Sequence, residues 1–210
     1  MSTTEVFYAA LLAIAAFWLS ACPFSLWLGR WFLGKDIRRY GDGNPGAANV
    51  FRAGGRKLGF TAVLLDIAKG VPLVMLAKLY FAHSEPTLVV VALCAVLGHA
   101  FSPLLRFRGG KSVAVTFGVI IGLLQPEMLF VFTAFVVFGS LFVEGDSWTV
   151  MLGPAGTLPY LLLSQGLTWQ AVFMLGVLTL FVLKQFEELK TAPRLKMKPL
   201  NWLQSRRQRT

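Results

Sequence analysis

Residues 6–33 read VFYAALLAIAAFWLSACPFSLWLGRWFL and contain one charged residue, Arg30. About 20 predominantly apolar residues are enough for a helix to cross the hydrocarbon core of a bilayer. Pro23 interrupts the run and predicts a kink, because proline removes a backbone donor and clashes with the preceding turn. The segment therefore predicts a kinked first transmembrane helix.

The composition of the whole chain agrees with a membrane protein. Of its 210 residues, 56% are hydrophobic and 14% are charged, too apolar a balance for a single water-soluble core. The formal net charge is +10, but the basic residues cluster between apolar runs, where they set membrane orientation. We therefore expect the protein to lie in membrane lipid and not to bind nucleic acid.

Six further apolar runs predict the remaining helices, at residues 58–80, 87–97, 113–124, 128–143, 148–163 and 168–183. Basic residues follow the first and third runs and place both loops on the cytoplasmic side. The predicted fold is an all-α polytopic membrane protein of about seven transmembrane helices, with the N-terminus outside and the C-terminus cytoplasmic. Residues 1–192 form one domain, and residues 193–210 form a basic cytoplasmic tail.

The loop after the first run, residues 41–52, reads GDGNPGAANVFR. Glycines let backbone N–H groups turn toward a ligand, asparagines supply amide donors, and arginine forks onto phosphate oxygens. The pattern predicts an anion-binding loop at the membrane surface, carried by Gly43, Asn44, Gly46, Asn49 and Arg52.

A second loop, residues 98–112, reads GHAFSPLLRFRGGKS and lies on the same predicted side. The two loops together predict a phosphate site in which Asn44, Asn49 and Arg52 face Arg108 and Lys111. The alternative is that these cations only hold the loop inside. Gly109 and Gly110 favour the site, because a topology signal needs charge alone.

Two motif matches in these loops are set aside. GDGNPG satisfies G-x-G-x-x-G but follows a membrane exit rather than a strand, and GGKS lacks the leading glycine of a P-loop. The chain shows no His/Cys cluster with metal-ligand spacing. No cofactor and no metal are predicted.

Asp66 and Lys69 lie one helical turn apart inside the second apolar run. Ionisable groups in a span are costly, but a pair at this spacing can neutralise itself. We interpret them as structural support beneath the first loop. Ser140, in FGSL, is interpreted as a polar wall of the pocket, with simple packing as the alternative.

Three segments in this order, GKDIRRYGDGNPGAANVFR, LDIAKG and GHAFSPLLRFRGGKSVA, resemble the bacterial integral-membrane glycerol-3-phosphate acyltransferases that use acyl phosphate as donor. The resemblance implies acyl transfer to the 1-hydroxyl of glycerol 3-phosphate at the cytoplasmic face of the bacterial inner membrane. It implies that the two phosphates are held by Asn44, Gly46, Asn49, Arg52, His99, Arg108, Gly110 and Lys111. Ser140 matches the family's serine after the fifth helix.

The chain departs from the family pattern at three places. Asp42 replaces a serine, Ala48 replaces a threonine, and Lys184 to Glu188 stand where the family has a histidine and asparagine motif. A divergent member is indicated, and a catalytically altered paralogue with another acceptor stays open. A transporter of an anionic or phosphorylated solute is the alternative from another class, although the later half of the chain has no second glycine loop.

The expected chemistry needs no protein nucleophile, because acyl phosphate already carries a good leaving group. Catalysis then requires neutralising the departing phosphate and aligning the attacking hydroxyl. We assign these roles to Lys111 and Asn44. The hydroxyl proton passes either to the acceptor's own phosphate or to Asp42.

Overall fold

The computed structural model describes residues 2–81 and 84–196. Over these residues the chain forms ten α-helices. They are α1 (Thr3–Ala21), α2 (Phe24–Leu33), α3 (Ala47–Arg52), α4 (Arg56–Ala68), α5 (Pro72–Tyr80), α6 (Glu85–Ala100), α7 (Val113–Gly122), α8 (Pro126–Phe142), α9 (Asp146–Gln165) and α10 (Trp169–Leu189). The tail beyond Lys196, which belongs to the predicted residues 193–210, lies outside the described residues.

The first predicted span consists of α1 and α2. Ser2 and Glu5 form a reciprocal capping box that begins α1, which satisfies backbone donors that a helix start otherwise leaves free. The chain bends at Pro23, between the end of α1 and the start of α2. The structure therefore contains the kink that the sequence predicts.

Four stretches within the described residues are long and apolar enough to cross a membrane: Thr3–Leu33, Arg56–Tyr80, Glu85–Leu105 and Trp169–Leu189. Two further apolar helices, α7 and α8, are shorter. Many large apolar side chains on the helices remain exposed, as expected of surfaces that face lipid tails rather than water. The prediction of a helical membrane protein is confirmed.

The second predicted span is broken, because α4 ends at Ala68 and α5 begins at Pro72. Gly70 and Gly118 allow this break to approach α7 closely. A Cβ atom built on Gly118 would overlap the carbonyl of Ile67. Small residues at such crossings let helix backbones touch in membrane bundles.

Three local features differ from the sequence expectation. Half of the first loop is helical, as α3, and α10 continues six residues beyond the predicted end at Leu183. The strands β1 (Val143–Glu144) and β2 (Arg194–Leu195) pair antiparallel, with Val143 opposite Leu195. The all-α prediction therefore needs one small correction for this strand pair. The pair ties the start of the predicted tail to the end of α8.

Two apolar clusters position the loops. The larger lies among the membrane helices, where α1 packs most extensively on α6. The smaller lies beneath the first loop and joins Leu26 of α2, Ile37, Val50 of α3 and Ala62 of α4. Burial of Ile37 and Val50 fixes the first loop on these helices, since apolar burial contributes most of the stability of such contacts.

Candidate active site

A cavity of about 440 Å³ lies between the first loop, α4, α7 and α9. One part of its wall is polar and the rest is apolar. The polar part includes Asp42, Asn44, Asp66, His99, Lys111 and Asp146, and the apolar part includes Val63, Ile67, Val113, Phe117 and Val150. A volume of this size is typical of small-molecule sites with a few convergent polar groups.

Asp42 joins the two predicted loops. Its Oδ2 lies 2.8 Å from Nζ of Lys111, and its Oδ1 accepts hydrogen bonds from the Asn44 N–H at 3.1 Å and from Asn49 Nδ2 at 2.9 Å. Asn49 Nδ2 also donates to the carbonyl of Asn44 at 2.8 Å. The structure thus brings the first and second loops together, as predicted.

These contacts keep the Asp42 carboxylate ionised. Partial burial by itself raises the pKa of Asp42, but hydrogen bonds from Lys111, Asn44 and Asn49 and the charge of Lys111 outweigh burial, so the pKa lies below its ordinary value. Donors to the charged form of a carboxylate act in this direction.

Lys111 contacts three acceptors from different parts of the chain. Besides Asp42, its ammonium donates to Ser147 Oγ at 2.7 Å and to Glu188 Oε2 at 2.8 Å. Ser147 in turn donates to the Glu188 carboxylate. Lys111 therefore connects the two loops to the start of α9 and to the last turn of α10.

Arg52 makes a similar connection from α3. Its Nη1 donates to Asn49 Oδ1 at 2.8 Å, and its Nη2 lies 2.6 Å from Asp146 Oδ2. Arg52 does not line the cavity itself, but Asp146 does. The guanidinium is thus held beside the site by the Asn49 amide and the Asp146 carboxylate, with Oδ1 of Asp42 3.9 Å from its Nη1.

Asp66 and Lys69 form a buried ion pair, with Nζ of Lys69 2.8 Å from Oδ1 of Asp66. Ser25 donates to the other carboxylate oxygen at 2.8 Å, and Lys69 also donates to the carbonyl of Cys22 at 2.8 Å. The pair therefore links the break between α4 and α5 to the bend between α1 and α2. This placement fits the predicted supporting role.

His99 and Gly110 pack against each other at the base of the second loop. The Gly110 N–H donates to the His99 carbonyl at 3.0 Å, and a Cβ atom on Gly110 would overlap His99 Nε2. Nδ1 of His99 lies 3.9 Å from Asp66 Oδ1. His99 lines the cavity, whereas Gly110 acts through its close packing on that ring.

Six predicted substrate-binding residues do not line the cavity: Gly43, Asn49, Arg52, Arg108, Gly110 and Ser140. Asn49, Arg52 and Gly110 contact residues that do line it. Ser140 is exposed, and its hydroxyl donates to the Val137 carbonyl of its own helix at 2.7 Å. Arg108 is exposed because the positive φ angles of Arg106 and Phe107 reverse the chain just before it. Gly43 serves as a left-handed turn residue, with φ of 74°. The structure thus places Ser140 and Arg108 away from the cavity wall and Gly43 in a turn of the first loop.

Three polar residues at the site were missed from the sequence: Asp146, Ser147 and Glu188. Ser140 was expected as a polar wall of the pocket, but it is Ser147 whose hydroxyl reaches Lys111. The acidic residues themselves were one signal. The chain has only ten of them, and a carboxylate at the end of an apolar run is costly unless it has a partner. Their placement on α9 and α10 could be recognised only once those helices were known to meet the loops.

A second cavity, of about 700 Å³, adjoins the first. Asp146, Ser147 and Glu188 line it, together with Trp148 and Arg194. Asp146 therefore lies at the boundary of both cavities.

The helices and the polar cleft define the class of protein: it is a multi-helix membrane protein whose candidate site is built from two loops. Residues 10–192 match the model of the glycerol-3-phosphate acyltransferase family. The chain belongs to this family, as the sequence resemblance implied.

Individual relatives agree with this assignment. A glycerol-3-phosphate acyltransferase of Lactococcus lactis subsp. lactis is 39% identical over 60% of this chain and 59% of its own length, so this match spans less than two thirds of the relative. One from Synechococcus sp. is 39% identical over 73% of this chain and 80% of its own length.

Solved structures show the same fold. The crystal structure of PlsY, an integral membrane glycerol 3-phosphate acyltransferase, in its glycerol 3-phosphate form superposes with a TM-score of 0.79. The two chains are 26% identical, and the superposition covers 87% of this chain and 90% of that one.

Proposed function

We propose that this protein is a membrane enzyme that moves a fatty acyl group from acyl phosphate to the 1-hydroxyl of glycerol 3-phosphate. The products are lysophosphatidate and inorganic phosphate. Membership of the family supports the reaction, and the names of similar proteins support glycerol 3-phosphate as the acceptor.

The observation that carries the proposal is the division of the cavity wall into a polar and an apolar part. Lys111, Asn44 and Asp42 supply the polar part, and Val63 and Phe117 belong to the apolar part. Both proposed substrates carry a phosphate, and one also carries a fatty acyl chain. A site with Lys111 and polar side chains on one side and apolar side chains on the other suits this pair.

The reaction can proceed without a covalent enzyme intermediate. The glycerol 1-hydroxyl oxygen attacks the acyl carbonyl carbon, the bond from that carbon to the phosphate oxygen breaks, and inorganic phosphate departs. Lys111 neutralises charge that develops on the departing phosphate. Such preorganised charge acts most strongly where water is excluded, and the Lys111 side chain is only 10% exposed.

Asn44 is proposed to orient the acceptor. Its side-chain oxygen is buried and has no hydrogen-bond partner among the described residues, and Asn44 lines the cavity. A buried oxygen without a hydrogen-bond donor is costly, so a hydroxyl group of glycerol 3-phosphate would satisfy it. The hydroxyl proton then passes to Asp42 or to the phosphate of the acceptor itself.

The membrane topology is part of the proposal. Seven spans, with the N-terminus outside, put both loops, the start of α9 and the end of α10 on one side of the bacterial cytoplasmic membrane. Contacts of Lys111 with Ser147 and Glu188, and of Arg52 with Asp146, support this arrangement. The cleft then faces the cytoplasm, and the basic tail lies on anionic lipid.

The test uses the full chain purified in detergent. Palmitoyl phosphate and glycerol 3-phosphate are supplied together, and release of inorganic phosphate is followed with formation of lysophosphatidate. We expect turnover that requires both substrates and is lost in Lys111→Ala. Lys190→Ala is the matched control, because Lys190 pairs with Glu187 on the exposed surface of α10.

Two results would count against the proposal. Phosphate release without any acylated glycerol 3-phosphate would indicate transfer to water, recognised by free palmitate among the products, or to another acceptor, of which glycerol is the first to try. No consumption of palmitoyl phosphate by folded protein would exclude acyl transfer from this donor. Consumption in detergent also separates an enzyme from a transporter, because no gradient exists there.

A further inference from the structure

The two cations of the cleft already carry carboxylates. An ammonium group has three N–H donors, and Lys111 directs donors to Asp42, Ser147 and Glu188, each 2.7 to 2.8 Å away. Arg52 contacts Asp146 at 2.6 Å. A phosphate that binds Lys111 must therefore replace an acceptor that is already in place, and one that takes the Nη2 position on Arg52 must replace Asp146.

The three carboxylates are not held equally. Asp42 accepts two further hydrogen bonds, from Asn44 and Asn49. Among the described residues, the Glu188 carboxylate accepts hydrogen bonds only from Lys111 and Ser147. The Asp146 carboxylate accepts one only from Arg52 in that part of the chain. Their side chains are 47% and 42% exposed, so water can solvate either carboxylate when it leaves its cation.

We propose that Asp146 and Glu188 are specificity-determining residues that occupy the phosphate positions on Arg52 and Lys111 in the free protein and yield them to phosphate groups. This inference rests on the proposed binding of phosphate by the cleft. The second cavity, which both carboxylates line, gives them space when they are displaced. Asp42 stays in place as the connection between the loops.

The exchange discriminates by charge. The free cluster holds Asp42, Asp146 and Glu188 against Lys111 and Arg52, with the charge of Lys184 also acting on Glu188. An incoming anion gains only what it offers beyond the carboxylate that it replaces. A phosphate carries about −1.5 to −2 charges at pH 7 and three acceptor oxygens. A carboxylate ligand such as a free fatty acid carries one charge and is no better than Glu188. The site therefore favours phosphates over free fatty acids.

The test measures binding of inorganic phosphate and of acetate to the full chain in detergent, by calorimetry at constant ionic strength. Glu188→Gln and Asp146→Asn each remove one competing charge and keep the shape of the side chain. Because exposed ion pairs contribute up to about 1 kcal/mol, we expect phosphate to bind about two- to fivefold more tightly in each variant. Acetate should gain measurable binding in the double variant.

Two controls isolate the competing charge. Glu187→Gln, one residue earlier on α10, removes a carboxylate that pairs with Lys190 on the surface and should bind phosphate as the wild type does. Glu188→Asp keeps the negative charge and should also resemble the wild type. Thermal unfolding identifies any variant that fails to fold, and Asp146→Asn then carries the test alone.

Phosphate binding that is unchanged or weaker in the folded Glu188→Gln and Asp146→Asn variants would overturn the inference. The same holds if phosphate binds none of the folded proteins. A different result would reject the proposed function alone: tighter phosphate binding in these variants, with no turnover of palmitoyl phosphate and glycerol 3-phosphate by the wild type.

Discussion

Two groups of ion pairs in this protein use the same side-chain chemistry but differ in their access to water. The buried pair, Asp66 and Lys69, has side chains that are 3% and 1% exposed. In the cleft cluster, Lys111 meets Asp42 and the half-exposed Glu188. A buried pair cannot replace its partner with water and becomes part of the fold, whereas a pair that reaches water can exchange one carboxylate for a ligand.

The largest expected effect is on the buried pair. Lys69→Met leaves the Asp66 carboxylate buried without its cation, and breaking a buried pair in this way costs about 3–5 kcal/mol. We expect a correspondingly large fall in stability, measured by unfolding in a fixed detergent. Lys57→Met, at an exposed lysine of α4, is the control and should change stability by less than about 0.5 kcal/mol. If Lys69→Met unfolds like the wild type, the pair has no structural role.

The next effect is on activity and comes from the cleft. Lys111→Ala removes the cation that meets both loops, and we expect turnover to fall about 10²- to 10³-fold, as for other preorganised charge-stabilising donors. Stability should fall less than in Lys69→Met, because water can solvate Glu188. Steady-state phosphate release and thermal unfolding of the same samples check both expectations. Unfolding at the temperature seen for Lys69→Met would erase the distinction between the two clusters.

A smaller effect is expected where the second loop packs on the buried region. Gly110→Ala places a methyl group against the ring of His99, and overpacking of this kind costs about 1–3 kcal/mol. At Gly46 the nearest atom to a new Cβ is 3.7 Å away, so Gly46→Ala should leave stability unchanged. The two unfolding temperatures provide the measurement, and equal losses would contradict the close contact at Gly110.

The smallest effect concerns pH and Asp42. Because the pKa of Asp42 in the folded protein lies below its ordinary value, its ion pair stabilises the fold fully above about pH 4, the range of an unfolded aspartate. That contribution is lost as pH falls through the lower, folded pKa. Unfolding temperatures measured from pH 6 to pH 3 should therefore fall less steeply in Asp42→Asn than in the wild type. Parallel curves would show that the ion pair with Lys111 contributes nothing.

The sequence was most informative about features with local causes. Apolar runs predicted the helices, Pro23 predicted the bend, and the glycines and asparagines of residues 41–52 predicted the first loop. The meeting of the two loops, seen in the contact of Asp42 with Lys111, followed from topology, because both loops were predicted on one side of the membrane. In each case the physical cause lies within a few residues or follows from the alternation of spans.

The contacts that sequence reasoning missed depend on the packing of distant helices. Ser140 and Ser147 lie seven residues apart, and only the bend at β1 and the start of α9 decide which one reaches Lys111. Glu188 was expected beyond the last helix, but α10 continues to Leu189 and presents it to the cleft. Arg108 carries the charge that a phosphate site needs, yet the local turn leaves it exposed.

The central claim is that the two loops hold one ligand between them. Calorimetric binding of glycerol 3-phosphate to Asn44→Ala, in the first loop, and to Lys111→Ala, in the second, tests it most directly. We expect the affinity for glycerol 3-phosphate to fall several-fold in Asn44→Ala and at least about tenfold in Lys111→Ala. The second loss is larger because hydrogen bonds to charged groups contribute more than neutral ones. If either folded variant binds glycerol 3-phosphate as tightly as the wild type, the two loops do not share this ligand.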